Sequence, residues 1–384
     1  MNDLTLPDGL IGGQGSKPGA RIEIVSTGQG FLALRREWDE LFQRAAAPQQ
    51  VFQSFGFLEA WARHYLDDRL RLHIVLARQD RRLEAIVPLI RQRRFGLESL
   101  RFMGTPVAQF DDAIIAPGMS DELAAALWRT IETSGADLLD ARRVRADAAL
   151  RRLLPARSIP VEMLEAPFAD LEMRVDGDGP GKAYSARDRS SHRRRMRRLA
   201  DTGEVSSSVV LPGPEAVRLA GEAVDLKRAW LDANGLASPT VNDPRFRAFF
   251  VETASTPGSS LRVSAIAIDG KPVAIDLSFD CKGRTFGHVI ATDAGYEREG
   301  LGQLLIHHVF AAASARGATI FDLMTPLDDY KRRHADGLTR VESLIVPFSH
   351  RGRLLARTVF RHGLPAAKSL VRRLPLRLRR LLIR

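Results

Sequence analysis

In the stretch "GYEREGLGQLL", Gly300, Leu301, Gly302 and Gln303 stand between a strand-like run and a helical one. A helix N-terminus presents backbone N–H groups with no intrahelical acceptor and the positive end of the helix dipole, and glycine lets a phosphate approach that backbone closely. The stretch is a candidate pyrophosphate cradle, although a glycine-rich turn that only packs tightly reads the same way. Titratable residues flank it. His288 lies on the strand before the cradle, with an ordinary pKa of about 6.5 that suits a general base; a buried structural histidine fits equally. Asp276 interrupts an otherwise apolar strand, which costs free energy unless the carboxylate is paired or functional. Asp322 lies near the end of the strand after the loop helix, where it either accepts a proton or pairs with a neighbouring arginine.

A second chemical feature is "SARDRSSHRRRMRRLAD", residues 185–201, with seven arginines and two acids in seventeen positions. Ser190 or Ser191 is expected to cap its helix, with Met196 and Leu199 facing inward. Arg193, Arg194 and Arg197 are expected to offer guanidinium forks to a phosphate-bearing acceptor or ligand, or to acids of the other half. The net charge of +11 does not extend this feature over the body: residues 351–384 hold eleven Lys/Arg and no acid, so the first 350 residues sum to zero. Steering of DNA to the whole surface is not expected.

These residues must be held by folded elements. At 384 residues, 45% hydrophobic and 27% charged, the composition is globular and the length suits two domains. No run reaches the roughly 20 apolar residues of a membrane span. Residues 1–20, rich in Gly and Pro, are read as a disordered lead-in rather than a targeting segment. A single cysteine, Cys281, excludes an internal disulfide and any multi-Cys metal site and fits a reducing cytoplasm. His307 and His308 are adjacent on a helix and diverge, so no metal site is expected.

Residues 31–45 and 54–66 read as helices and "RIEIVS" as a strand. The segment after "QFDDAII" reads as a helix with Ser120 at its start and Gly135 past its end, followed by a strand. The second half replays this order: a three-strand meander with turns at Asp269-Gly270 and Lys282-Gly283, a loop, a helix and a strand. "VLARQDRRLEAIVPLI" matches "AIAIDGKPVAIDLSF", and "GADLLDAR" matches "GATIFDLM". The expectation is α/β architecture with mixed sheets: two tandem lobes, 21–175 and 182–347, and a basic helical tail, 351–384. Only the second lobe carries the glycine loop.

The order of motifs resembles the GNAT-related acyltransferases of the FemAB-like and CelD (BcsL)-type group, a tandem-GNAT family linked to exopolysaccharide and cell-envelope synthesis. The resemblance rests on the Arg-rich helix before "EVSSSVVL", then "LKRAWLDANG", "DGKPVAIDLSF", "GYEREGLGQLL" and "FDL" followed by "DDYK". In the first half it rests on "VFQSFGFLEAW" and "QFDDAII". It implies acetyl-CoA or another acyl-CoA as cosubstrate, with pyrophosphate held by Arg298, Gly300, Leu301, Gly302 and Gln303. It also implies a catalytic role for the Tyr330–Lys331 pair, with Lys331 holding an anionic acceptor or the oxyanion. Lys227, and more weakly Gln53, Trp61, Asp111 and Asp112, are acceptor-side candidates. The pattern departs at Glu297, where the family has Arg or Gln; Arg298 is expected to supply the charge one residue later.

The implied reaction is N-acylation, most simply N-acetylation, of an amino sugar in a polysaccharide or lipid-linked precursor, inside the cell. The tail, with Leu370, Leu374, Leu378, Leu381 and Leu382 on one stripe among arginines, fits an anionic membrane surface. Two rivals stay open. One is FemX-like transfer from aminoacyl-tRNA to a peptidoglycan precursor. The other is a degenerate acyltransferase acting as a cyclic-di-GMP- or membrane-responsive adaptor; Arg193/Arg197 and Arg194/Arg198 have RxxxR spacing, while "DLSFDC" lacks the glycine of the companion motif.

Overall fold

The computed structural model describes residues 19–356 and 358, apart from 95, 178 and 237. The lead-in before residue 19 and nearly all of the basic tail lie outside the described residues. The first half begins with β1 (Ala20–Val25), α1 (Gly28–Ala33), α2 (Arg35–Ala45) and α3 (Phe55–Tyr65), then β2 (Leu70–Gln79), β3 (Arg82–Arg94), β4 (Leu97–Phe102) and β5 (Ile114–Ile115). It continues with α4 (Asp121–Glu132), β6 (Leu138–Arg145) and β7 (Ile159–Asp170). Ser120 caps α4 through the Leu123 N–H, and Gly135, at φ +82, turns the chain just past its end.

A short connection holds α5 (Leu171–Arg174), β8 (Val175–Asp176) and β9 (Gly179–Pro180). The second half contains α6 (Ala186–Ala200), β10 (Val205–Val210), α7 (Pro214–Ala233), α8 (Pro239–Asn242) and α9 (Pro244–Ser255). Then follow β11 (Leu261–Ile268), β12 (Lys271–Cys281), β13 (Arg284–Thr292), α10 (Leu301–Ala315), β14 (Ile320–Asp322), α11 (Asp329–His334), β15 (Gly337–Pro347) and α12 (His350–Leu355). The meander turns are two-residue hairpins with positive φ at both positions: Asp269 +49 and Gly270 +77, Lys282 +46 and Gly283 +76. That geometry matches the twist of the flanking strands.

The halves share one thirteen-stranded mixed sheet, in the order β1-β2-β3-β4-β6-β15-β7-β14-β13-β12-β11-β10, with β5 on β3. Each half has an antiparallel meander ending in a parallel pair: β4 with β6 through Ser99↔Leu138 to Arg101↔Asp140, and β13 with β14 through Arg284↔Ile320 to Phe286↔Asp322. The last strand of each half crosses over. β7 pairs with β14 of the second half, and β15 pairs with β6 of the first. The two exchanged strands pair with each other between the halves.

One face of this sheet is covered by α3, α7 and α9 and by a 3-10 turn at Pro48–Gln53. There Phe52 meets Phe279 at 6.1 Å and Phe286 at 5.8 Å, and Phe57 meets Phe249 at 5.1 Å and Phe279 at 5.4 Å. These edge-to-face pairs cross the seam between halves, each contributing about 0.5–1.5 kcal/mol beyond area burial. α10 and Leu199 of α6 pack on the opposite face of the second half. Among the described residues no helix is long and apolar enough to cross a membrane.

Candidate active site

β13 and β14 pair only at three positions and then diverge, β13 running on to Thr292. The opening lies beside the N-terminus of α10. Gly300 caps that helix in the left-handed region, φ +70 and ψ +40, where glycine carries no steric penalty. A Cβ on Gly300 would lie 2.6 Å from Nε and 2.8 Å from Cδ of Arg195, whereas one on Gly302 would meet nothing within 4 Å. The cradle is thus a glycine approached by an arginine, which fits a phosphate. Leu301 is buried in the core under α10, so it contributes packing and backbone only. Arg298 lies in the last turn of the 3-10 element Ala294–Glu299 leading into the cradle.

Two lysines are tied to the two edges of the opening. Lys227 of α7 donates to the Ile290 carbonyl of β13 at 3.1 Å, and Lys331 of α11 donates to the Met324 carbonyl, just past β14, at 3.1 Å. Burial pulls the Lys331 amine down to about 8, helped by the charge of Lys227 and opposed by Asp328. Burial lowers Lys227 as well. Tyr330 is 37% exposed; burial of its phenol, with the Asp328 and Asp276 carboxylates nearby, raises its pKa and keeps it protonated.

The three acid and histidine candidates occupy different settings. Asp322 is fully buried: its carboxylate accepts from Arg145 at 2.7 Å and from the Met324 N–H at 3.0 Å. It therefore helps fix Met324, the residue whose carbonyl receives Lys331, a positioning role. Asp276 is fully buried on β12, opposite Ile290, and neither oxygen meets a hydrogen-bond partner at bonding geometry. Burial pushes it up to about 7, and the Ser278 hydroxyl and Arg316 offset only part of the cost.

His288 does not face the opening. Its Nε2 donates to the Val107 carbonyl at 2.7 Å, and its ring packs among Phe52, Phe246, Phe250 and Phe279, where burial pulls it down to about 4. It sits in the seam between halves as a neutral structural group.

The first-half candidates also lie in that seam or behind it. Gln53 donates to the Phe110 carbonyl at 2.8 Å, and fully buried Trp61 donates to the Thr105 carbonyl at 2.9 Å. Asp111 accepts from the Arg142 N–H at 2.6 Å, and Asp112 accepts from three backbone N–H groups at Ala113, Ala149 and Leu150. All four make structural hydrogen bonds, although Gln53 Oε1 is buried without a partner, and none lies with the lysine pair.

The arginine helix begins earlier than the sequence reading placed it. Ser185 is the cap, accepting from the Asp188 N–H at 3.1 Å, because the serine and the acid three residues on form a capping pair. Ser190 and Ser191 are inside the helix. Met196 is a correction too: it is 39% exposed, while Leu199 is the buried anchor. With Leu199 inward, Arg195 and His192 fall on the same stripe, four and seven residues back. Arg195, absent from the sequence candidates, is the one that reaches Gly300; the spacing back from Leu199 is the signal that could have found it. Arg194 lines a cleft of ≈ 680 Å³ between α6, α10 and α11, together with Arg187, Arg195, Gln303, His307 and Arg333. Arg193 and Arg197 are exposed and outside it.

Residues 186–332 match the family model described as the acetyltransferase (GNAT) domain. The second half has a GNAT-like fold. Solved structures agree on the fold beyond this GNAT segment. FemX superposes with a TM-score of 0.56 at 10% identity, over 85% of this chain and 98% of that one. L-PGS from Bacillus licheniformis gives 0.53 at 12%, over 85% and 97%. The C-terminal domain of a putative lysylphosphatidylglycerol synthetase from Agrobacterium fabrum gives 0.52 at 13%, over 87% and 98%. No curated protein sequence matches the chain.

Proposed function

We propose that the protein transfers an acyl group, in the simplest case acetyl, from acyl-coenzyme A to the amino group of an amino sugar in an exopolysaccharide or cell-envelope precursor. The observation that carries this reading is the opening between β13 and β14, with the Gly300 cradle at one end and Lys331 at the other. Bound there, acyl-CoA would supply an activated thioester; Arg195, Gly300 and Gly302 would hold its phosphates.

Transfer forms a carbon–nitrogen bond and breaks a carbon–sulfur bond, while one proton leaves the amine and one reaches the departing sulfur. Lys331, with its pKa near that of a thiol, is matched to the second proton transfer. Lys227, across the opening, stabilises negative charge developing on the carbonyl oxygen. Work on an envelope precursor places the reaction at the cytoplasmic face of the membrane, with the tail beyond the described residues as the docking element; cyclic-di-GMP is a candidate regulator of such a system.

One observation favours a second reading. Among the described residues α6 keeps Arg193, Arg194, Arg195, Arg197 and Arg198 out of any ion pair, along a helix about 22 Å long. Such a stripe suits a polyanionic donor such as aminoacyl-tRNA. Thiol release from acetyl-CoA, measured with a panel of amino sugars and their nucleotide-linked forms, separates the two. Acceptor-dependent thiol release that is lost in Lys331→Met supports acyl-CoA. No release with any acceptor, together with steeply salt-dependent tRNA binding, overturns it.

A further inference from the structure

The sheet ends on β10, and β10 pairs with β11 alone. The unpaired N–H and C=O groups of a free edge recruit another strand, so natural sheets blunt such an edge with charge, proline, a bulge or a covering loop. β1, at the far edge, carries Arg21 and Glu23. β10 has none of these devices: it reads Val-Ser-Ser-Ser-Val-Val, in unbroken register with β11 from Val205↔Ile268 to Val210↔Val263. Ser206, Ser207 and Ser208 are exposed, as are Val209 at 39% and Leu211, just past the strand, at 63%.

The register fixes which groups point outward. The Asp269 N–H donates to the Glu204 carbonyl at 2.9 Å, and these two residues stand opposite each other one step beyond Val205↔Ile268. Along an antiparallel strand the residues alternate between bonding to one neighbour and bonding to the other. Glu204, Ser206, Ser208 and Val210 therefore bond to β11, and Val205, Ser207 and Val209 direct their N–H and C=O groups away from the sheet. Among the described residues neither a strand nor a loop pairs with that outward set. Val205 packs in the cluster under α10 and Val210 in the cluster on the α7 side. The side chains of Val205, Ser207 and Val209 thus lie on the α10 face, with Leu211 next in the alternation.

We infer that this edge takes a second copy of itself, joining two sheets as an antiparallel pair about a two-fold axis through Ser207. Such an axis stands perpendicular to the sheet and keeps the same face up in both copies. Centred on Ser207, the pairing sets Ser207 against Ser207 and Val205 against Val209 of the second copy, so every outward N–H meets an outward C=O. The side chains agree with it. Val209 gains the second copy's Val205, Leu211 falls opposite its Gly203, which has no side chain, and Glu204 falls opposite its Val210, so no like charges meet. The basic tail of the same chain fits less well, because β10 offers no carboxylate to its arginines. Self-pairing consumes the edge in both copies and stops at a dimer. The joined sheet carries both copies of α10, with α6 packed beside each, on one side.

Sedimentation equilibrium of the full chain over a wide concentration range should show monomers passing to dimers and no larger species. Ser207→Pro removes an outward N–H while sparing the bonds to β11, and should weaken the dimer by more than about tenfold. A melting curve like that of the unaltered monomer shows that the variant is folded. Cross-linking tests the register, in a Cys281→Ser background. Ser206 and Ser208 of the second copy form a pair about 4.5 Å apart, within disulfide reach, whereas two copies of either residue are about 8 Å apart and out of reach. A mixture of Ser206→Cys and Ser208→Cys proteins should therefore oxidise to a covalent dimer, and neither variant alone should. Hydrogen exchange at the Val205, Ser207 and Val209 amides should slow as concentration rises. A monomer at every concentration, an unchanged dimer in Ser207→Pro, or equal cross-linking of the single variants and the mixture overturns the proposal. So does amide protection that is independent of concentration, which assigns the edge to a segment of the same chain.

Discussion

Arg145, at the end of β6 in the first half, donates to the Asp322 carboxylate of the second half at 2.7 Å, and neither side chain is more than 1% exposed. The pair spans the two exchanged strands that separate β6 from β14 in the sheet. Arg145 also reaches Asp147 at 2.8 Å, an acid at the solvent edge. Removing one partner of a buried ion pair leaves an uncompensated charge, at a cost of about 3–5 kcal/mol. Asp322→Ala should therefore lower unfolding stability by about 3 kcal/mol, the low end because Asp147 still answers Arg145. Urea denaturation measures it; a change under about 1 kcal/mol would show that the halves are not tied here.

Lys331 gives a prediction with a definite sign in pH. Its ammonium form is the proton donor, and burial brings its pKa to about 8. The turnover rate should fall as pH rises through about 8, and this descending limb should be missing from the residual activity of Lys331→Met. That variant should lose on the order of 10²-fold in kcat, the lower range for a positioned acid. Lys331→Arg should not restore it, since a guanidinium keeps its proton. An unchanged limb in Lys331→Met assigns the titration to another group.

Much of this arrangement can be read from the chain, and the rest depends on distant partners. The hairpin turns are local: Asp269-Gly270 and Lys282-Gly283 need only their own backbone preference. The repeat is legible because each parallel pair ends on an acid at the same place, Asp140 against Arg101 and Asp322 against Phe286. The exchange of β7 and β15 is not legible, since a strand's alternation says that it pairs but not with which neighbour. His288 reads as a base because the rings that cage it lie elsewhere: Phe52 in the first half, Phe246 and Phe250 in α9. Asp322 reads as catalytic for the same reason; its partner is 177 residues away.

Asp276 tests what a buried, unpartnered carboxyl costs. Its folded pKa of about 7 lies above its ordinary value, so the folded state keeps a proton that the unfolded chain loses above about pH 4. The sign follows: this group's contribution to stability declines as pH climbs from about 4 to about 7 and is constant beyond. Asp276→Asn should remove that decline, leaving the variant more stable than the unaltered protein at pH 8 relative to pH 5. Asp111 and Asp112 are also pushed up to about 7, so the comparison between the two proteins isolates Asp276. Parallel stability curves from pH 4 to 8 would mean that the carboxyl finds a partner in solution.

The two cradle glycines should respond differently to a single methyl group. Gly300 sits at φ +70, where an L side chain costs about 1–2 kcal/mol, and its new Cβ would strike Arg195 at 2.6 Å. Gly302 is in the first turn of α10 with open space around its Cα, and there alanine is the better helix former. Gly300→Ala should lower stability by about 1–2 kcal/mol and weaken acetyl-CoA at least tenfold, because both the backbone and Arg195 must move. Gly302→Ala should leave stability within about 0.5 kcal/mol, so any loss of acetyl-CoA affinity there reports close approach of the phosphates rather than damage to the fold. Thermal melts and calorimetry on the two variants read both effects, and equal acetyl-CoA affinity in both variants and the unaltered protein would remove the cradle from the donor site.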